Sequence, residues 1–121
     1  MKFTREMPGT LTIHSVSDDH IRIGDQVFSH TIALTAAALL GDWPTKAIDD
    51  LSESDFAALL DTCPEVIILG TGINNVFPPR ELVFAMARRG IGFEVMNTRA
   101  AASTFNVLAG EGRQVAAVLY V

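Results

Sequence analysis

The feature that most constrains this chain is an uninterrupted apolar run that ends in a glycine-rich turn. Residues 66–69 read Val-Ile-Ile-Leu, and Gly70, Thr71 and Gly72 follow directly. A continuous apolar run is typical of a strand covered on both faces inside a layered α/β domain. Gly70 and Gly72 are expected to adopt backbone angles closed to other residues, so the chain leaves the sheet sharply at this point. Because open α/β sheets usually bind ligands at the carboxyl ends of their strands, the pattern predicts a place for a site but no reaction.

The second half of the chain alternates strands and helices. Pro79 suits the first turn of a helix, and Arg88, Arg89 and Gly90 suit its end, which predicts a helix over 79–89. The other elements predicted here are a strand at 91–96, a helix that Asn97 and Thr98 open and that Gly110 and Gly112 close, and a continuous apolar strand at 114–121. This half is therefore βαβαβ-like.

The first half is predicted to form antiparallel strands at 10–16, 21–23 and 26–34, because apolar and polar residues alternate in the first two of them. A loop at 41–45, anchored by Trp43, and a short helix at 52–62 follow. The sequence contains no internal repeat and no linker. We therefore expect one layered α/β domain spanning 1–121, in which N-terminal β-hairpins and a βαβαβ-like C-terminal half share one core.

Composition narrows the classes of function. The 121 residues include 9 basic and 14 acidic side chains, a net charge of −5 that repels phosphate backbones and argues against nucleic-acid binding. With 49% hydrophobic residues, the chain is expected to fold alone or as an oligomer that hides part of its surface. No apolar stretch approaches the roughly 20 residues that a transmembrane helix needs. The single cysteine and the start without a secretory signal predict a cytoplasmic protein.

Two loops are candidates for a small-molecule or anion pocket. Their residues are Gly70, Thr71, Gly72, Asn74, Asn75, Asn97, Thr98 and Arg99. Backbone amides, side-chain donors and Arg99 would bind a carboxylate or phosphate if both loops reach the same edge of the sheet. The alternatives, which general experience favours, are a tight strand-to-helix turn for the glycines and helix capping for 97–99. A dinucleotide fingerprint fits poorly because Asn75 stands where its third glycine would be, and the Walker lysine is absent.

The sequence offers no recognisable catalytic or metal-binding set. The three histidines lack paired ligand spacing and there is no cysteine cluster: His14, His20 and His30. Thr104 and Asn106 are unusual inside a helix, where each would bond a nearby carbonyl, face solvent or line the pocket. We therefore predict no cofactor and no metal, and we favour binding over catalysis.

Several motifs in order resemble one known family. They are Leu69-Gly-Thr-Gly72, Phe77-Pro78, Gly90-Ile-Gly92, Glu94-Val-Met96 with Thr98, Ala100-Ala101, Thr104-Phe-Asn-Val-Leu108 and Glu111-Gly-Arg113. The chain is similar to the small-domain family, long of unknown function, that includes the mitochondrial complex I assembly factor three. The resemblance implies a three-layer α/β fold on a mixed sheet and, in mitochondria, an assembly chaperone that binds other proteins. It carries over no catalytic residue, and without a targeting extension the chain looks like a free-standing bacterial or archaeal member.

Two hypotheses follow. The first is a non-catalytic protein-binding or assembly-factor-like module whose interface includes Trp43, Phe77 and Arg80. The second is a small-molecule or anion-binding protein, or an enzyme, that uses the two loops. The position of those loops in the fold separates the hypotheses.

Overall fold

A computed structural model describes residues 10–41, 43 and 46–121. Its strands are β1 (Ile13–Val16), β2 (Ile21–Ile23), β3 (Gln26–Phe28), β4 (Ile32–Thr35), β5 (Val66–Gly70), β6 (Gly92–Met96) and β7 (Val115–Leu119). Its α-helices are α1 (Ala57–Leu60), α2 (Arg80–Arg88) and α3 (Thr98–Gly110), and single 3₁₀ turns lie at Ile48–Asp50 and Glu53–Phe56.

The apolar run forms the strand β5 in the interior of a four-stranded sheet. The strand order is β4-β7-β5-β6, in which β5 pairs in parallel with β6 and β7 while β4 runs antiparallel to β7. Every residue of β5 is buried. A run that is apolar at each position suits this environment because both faces of the sheet are covered. The prediction of a buried strand inside a mixed sheet is confirmed.

Layers of different construction cover the two faces of this sheet. On one face, Ile67 and Leu69 pack with Phe56 and with apolar side chains of α2. On the other, Ile68 packs with Phe105 of α3 and with a three-stranded antiparallel meander, β1-β2-β3. Neighbouring residues of β5 serve opposite layers because side chains alternate along a strand. The predicted three-layer α/β fold is confirmed.

One predicted strand is wrong as a single element. The stretch 26–34 divides into β3, which ends the meander, and β4, which belongs to the four-stranded sheet. Its two parts have different environments, since two of the three residues of β3 are exposed whereas Ile32, Ala33 and Leu34 are buried. The first part has a solvent-exposed face and the second part is covered on both faces, so the two parts belong to different sheets. The chain therefore bends at Ser29 and His30.

The other predicted boundaries shift by small amounts. The first strand begins at Ile13, and the helix expected at 52–62 is a 3₁₀ turn that continues into α1. The amide of Ser52 donates to Asp55 Oδ2 at 2.9 Å, which fixes the start of that turn. Of the predicted loop 41–45, residues 42, 44 and 45 lie outside the described residues.

Asn106 joins α3 to the meander. Its Oδ1 accepts from the amide of Ile13 at 2.9 Å, and its Nδ2 donates to the carbonyl oxygen of Ile13 at 2.8 Å. A carboxamide offers an acceptor and a donor side by side, so it pairs with β1 as a neighbouring strand would. Asn106 thus bonds a distant strand, whereas Thr104 donates locally to Met96 Sδ at 3.5 Å.

Candidate functional site

The structure brings both candidate loops together at the carboxyl edge of the sheet. The amide of Thr71 donates to the carbonyl oxygen of Met96 at 2.9 Å, and the amide of Thr98 donates to that of Gly72 at 2.9 Å. The strands before the loops, β5 and β6, are parallel neighbours, so both end at this edge. The loops are bonded to each other, and the amides of Thr71, Gly72 and Thr98 donate to acceptors inside the protein.

Thr98 is the centre of this junction. Its side chain is almost fully buried, with 3% of the residue exposed. The hydroxyl donates to the carbonyl oxygen of Tyr120 at 2.6 Å and accepts from the amide of Gly72 at 2.8 Å. One hydroxyl therefore ties the start of α3 to the chain segments that leave β5 and β7. Both of its hydrogen bonds satisfy buried backbone groups, which are costly to leave unpaired.

The two glycines of the turn serve different purposes. Gly72 has φ +96°, which is the left-handed region that favours glycine. The expectation of an unusual backbone angle is therefore right for Gly72, but it is wrong for Gly70, whose φ lies outside that region. At Gly70 a Cβ atom would lie 3.0 Å from Ala101 Cβ, Leu119 Cδ2 and Thr98 Oγ1. Gly70 lets α3 approach the sheet closely.

Residues 97–99 open α3. Asn97 Oδ1 accepts from the amide of Ala100 at 2.9 Å, so this side chain caps the helix. Arg99 is exposed and its Nη2 lies 3.7 Å from a carboxylate oxygen of Asp18. The cavity beside them measures about 100 Å³. Small-molecule pockets commonly measure about 300 to 1,000 Å³, so only a few atoms would fit. The predicted ligand role of these residues remains a prediction.

Thr71 organises the loop that follows β5. Its hydroxyl donates to the carbonyl oxygen of Asn74 at 2.6 Å and accepts from the amide of Val76 at 3.1 Å. The side chain is buried while Asn74 and Asn75 are exposed. These bonds close a compact turn, after which the chain runs along the surface to Pro79.

A set of large apolar side chains is exposed between this turn and the middle of α2. We call it the Ile73–Phe84 surface, and its members are Ile73, Val76, Phe77, Val83 and Phe84. Phe77 is 80% exposed and Ile73 is 65% exposed. Arg80, also exposed, lies one helical turn before Phe84. Sequence reasoning identified Phe77 and Arg80 alone, although the position of Ile73 and Val76 between a glycine turn and two prolines is a signal for those two residues.

Trp43 occupies a different place. Its ring is half-buried and meets Phe56 edge to face, with 5.1 Å between ring centroids. The indole Nε1 donates to the hydroxyl oxygen of Tyr120 at 3.3 Å. Burial raises the pKa of Tyr120 above its ordinary value. Trp43 therefore packs on the helical layer, and its predicted interface role remains a prediction.

Metal and membrane features were also sought in the described residues. Across 10–41, 43 and 46–121, no three or more His, Cys, Asp or Glu side chains are grouped so that they would hold a metal ion. In the same ranges, no helix has the length and apolar character needed to cross a membrane.

Curated relatives share much of the sequence. The chain is 31% identical over 102 residues to the "13 kDa major membrane protein" of Francisella tularensis subsp. holarctica, covering 82% of this chain and 80% of the relative. It is 32% identical over 117 residues to NADH dehydrogenase (ubiquinone) 1 alpha subcomplex assembly factor 3 of Mus musculus, covering 94% of this chain. The match spans 62% of the mouse protein, so the chain is similar to part of it.

The chain is also similar to solved structures. A Xanthomonas campestris protein determined by NMR has 36% sequence identity and a TM-score of 0.85, over 93% of this chain and 85% of that protein. A family described as proteins of unknown function (DUF498/DUF598) matches residues 13–120. On this evidence the chain belongs to the DUF498/DUF598 family, which includes the complex I assembly factor 3 proteins.

Proposed function

We propose that this protein is a non-catalytic, protein-binding module of the assembly-factor kind, and that the Ile73–Phe84 surface contacts its partner. The observation that carries the proposal is the exposure of five large apolar side chains within one short segment. Contiguous apolar patches on soluble proteins mark interaction sites more often than chance exposure does. The similarity to assembly factor 3 proteins supports a protein partner.

The exposure at this segment differs from that on the rest of the described surface. Elsewhere in residues 10–41, 43 and 46–121, the large apolar side chains that are exposed are Val27 and Val107, which lie on separate elements. Two of the five residues of the Ile73–Phe84 surface are phenylalanines. Aromatic anchors commonly supply most of the affinity of an interface, so Phe77 and Phe84 are the residues expected to dominate.

Charge suggests the character of the partner. Residues 73–79 contain no charged side chain, whereas the adjacent helix α2 presents two basic side chains, Arg80 and Arg88, and one acidic side chain, Glu81, on a chain of net charge −5. Arginine is enriched in protein interfaces. An apolar patch next to basic side chains is complementary to an apolar surface with an acidic border. We therefore propose a protein partner of that kind, met in the cytoplasm, and no nucleic acid.

Anion binding at the glycine loop has weaker support. The amides of Thr71, Gly72 and Thr98 already donate to acceptors within the protein, so an anion that used these three amides would have to displace those bonds. Asp18 adds negative charge beside Arg99. The geometry therefore favours the protein-binding hypothesis.

The test is affinity capture from cells of the source organism. Tagged wild-type protein is compared with a Phe77→Asp/Phe84→Asp variant and with a Val27→Asp/Val107→Asp control, which adds the same charge at exposed sites elsewhere. Wild type and control are expected to retain stoichiometric partners that the first variant loses, because a desolvated carboxylate disrupts an apolar interface. Recovery of no partner by wild type in mild salt, or equal recovery by all three proteins, would refute the proposal.

A further inference from the structure

The two outer strands of the four-stranded sheet, β4 and β6, differ in what occupies their outer edges. The outer side of β4 is occupied by the turn that follows it, since the amide of Leu40 donates to the carbonyl oxygen of Ala33 at 2.9 Å. Leu34 and Leu39 form an antiparallel bridge there. Strand β6 has β5 on one side and, among the described residues, no strand on the other.

The alternation of the parallel ladder shows which groups of β6 face outwards. The amide of Gly92 donates to the carbonyl oxygen of Glu65 at 3.0 Å, and the carbonyl oxygen of Met96 accepts from Thr71, so these residues bond towards β5. Glu94, between them in register, does the same. The N–H and C=O groups of Phe93 and Val95 therefore point away from the sheet. They are the groups that an added strand would use.

The side chains of β6 differ between the two faces of the sheet. Phe93 and Val95 are half-buried on the α2 side of the sheet, whereas Glu94 is exposed on the α3 side. The strand contains no proline or lysine, which commonly block such edges. Its one charge is the carboxylate of Glu94.

That charge distinguishes between two occupants. A second copy that pairs its own β6 antiparallel about the strand centre would place one Glu94 opposite the other, and like charges in that position are destabilising. Two chains of net charge −5 also repel each other. An extended segment with a basic side chain beside Glu94 meets no such repulsion.

Strand β6 also contacts the elements that carry the Ile73–Phe84 surface. The loop that leads to Ile73 is bonded to the end of β6 through Thr71 and Met96, and α2 packs against β6. We propose that β6 accepts an extended segment of the partner protein as an added strand, and that Glu94 selects a segment with Lys or Arg beside it. This inference rests on the proposed protein-binding function.

A pair of peptides tests the mode of binding. The probes are acetyl-Thr-Val-Lys-Val-Lys-Val-Thr-amide and the same peptide with Glu in place of Lys, added to isotopically labelled full-length protein. Binding of the Lys peptide is expected to slow hydrogen exchange at the amides of Phe93 and Val95, because both gain an acceptor. We expect the Lys peptide to bind about fivefold more tightly than the Glu peptide. In a Glu94→Lys variant the preference should reverse.

Variants separate this inference from the proposed function. Val95→Pro removes the N–H of Val95, which points outwards and is not bonded to β5. Edge strands tolerate proline at such a position. The variant should not bind the peptide, because the peptide loses this hydrogen-bond donor. Val95→Thr keeps the N–H and should bind. The amide spectrum of each variant reports whether it is folded, and the Phe77→Asp/Phe84→Asp variant should still bind the peptide.

Three results would overturn the strand-addition proposal: no binding of the Lys peptide at millimolar concentration, binding without protection of Phe93 and Val95, or concentration-dependent dimers that protect those amides without peptide. Partner capture that depends on Phe77 and Phe84 but is unchanged by Val95→Pro would leave the proposed function in place and remove this inference alone.

Discussion

Two consecutive parts of one segment are built in opposite ways. Residues 70–72 are held by contacts inside the protein. The amides of Thr71 and Gly72 both donate hydrogen bonds, and the hydroxyl of Thr98 bonds two backbone groups, those of Gly72 and Tyr120. The Ile73–Phe84 surface, which begins at the next residue, leaves large apolar side chains in solvent. The comparison teaches that the glycine turn is held by packing and hydrogen bonds, while the residues after it expose apolar side chains to solvent. Substitutions in the first part should therefore change stability, and substitutions in the second should change binding.

The largest expected effect is at Gly70. Gly70→Val places a branched side chain where a Cβ alone already lies 3.0 Å from three atoms of α3 and β7. Overpacking of this kind typically costs about 1 to 3 kcal/mol, and we expect about 3 kcal/mol here because all three contacts are with buried side chains. Urea unfolding measures the loss in the free energy of unfolding.

The control is a glycine substitution without crowding, Gly110→Ala at the end of α3, where an added Cβ meets nothing within 4 Å. It should leave the protein unchanged or stabilise it by about 0.5 kcal/mol, because alanine is the better helix former. Equal losses at Gly70 and Gly110 would contradict a special role of close approach at Gly70.

A smaller loss is expected from Thr98→Val. Valine preserves the shape of the side chain but leaves the amide of Gly72 and the carbonyl oxygen of Tyr120 without their partner. An unsatisfied buried group costs about 1 to 3 kcal/mol, so we expect about 2 kcal/mol in the same urea experiment. Thr98→Ser keeps the hydroxyl and should recover most of the loss. If serine were no better than valine, the hydroxyl would not be what holds the junction.

The smallest change in stability is expected from Phe77→Asp. The side chain is 80% exposed, so its replacement should alter the free energy of unfolding by no more than about 0.5 kcal/mol. Thermal unfolding of the variant beside wild type measures this. A loss comparable to that of Thr98→Val would mean that Phe77 belongs to the core, and the contrast between the two parts of the segment would fail.

The elements with local signals could be predicted from sequence. Strand β5 was recognisable because both faces must be apolar in a covered strand, and α2 because Pro79 and Gly90 mark its ends. The convergence of the loops followed from the parallel strands that precede them. These features depend on residues that are close together in the chain.

The remaining features depend on partners far away in sequence. The need for Gly70 arises from Ala101 and Leu119, and the role of Asn106 arises from Ile13, 93 positions earlier. No local pattern reports such contacts. The break within 26–34 was missed for a related reason, because strands of different sheets share the same propensities and differ only in what covers them.

The clamp between Asn106 and Ile13 has a consequence for how the protein opens. A single carboxamide fastens the first strand to a helix that the chain forms near its other end. Hydrogen exchange at the amide of Ile13 therefore reports whether β1 is bonded to α3, independently of the opening of the four-stranded sheet. Its exchange rate in the presence of a partner would show whether the partner binds the protein with the amino-terminal strands packed against α3 or detached from it.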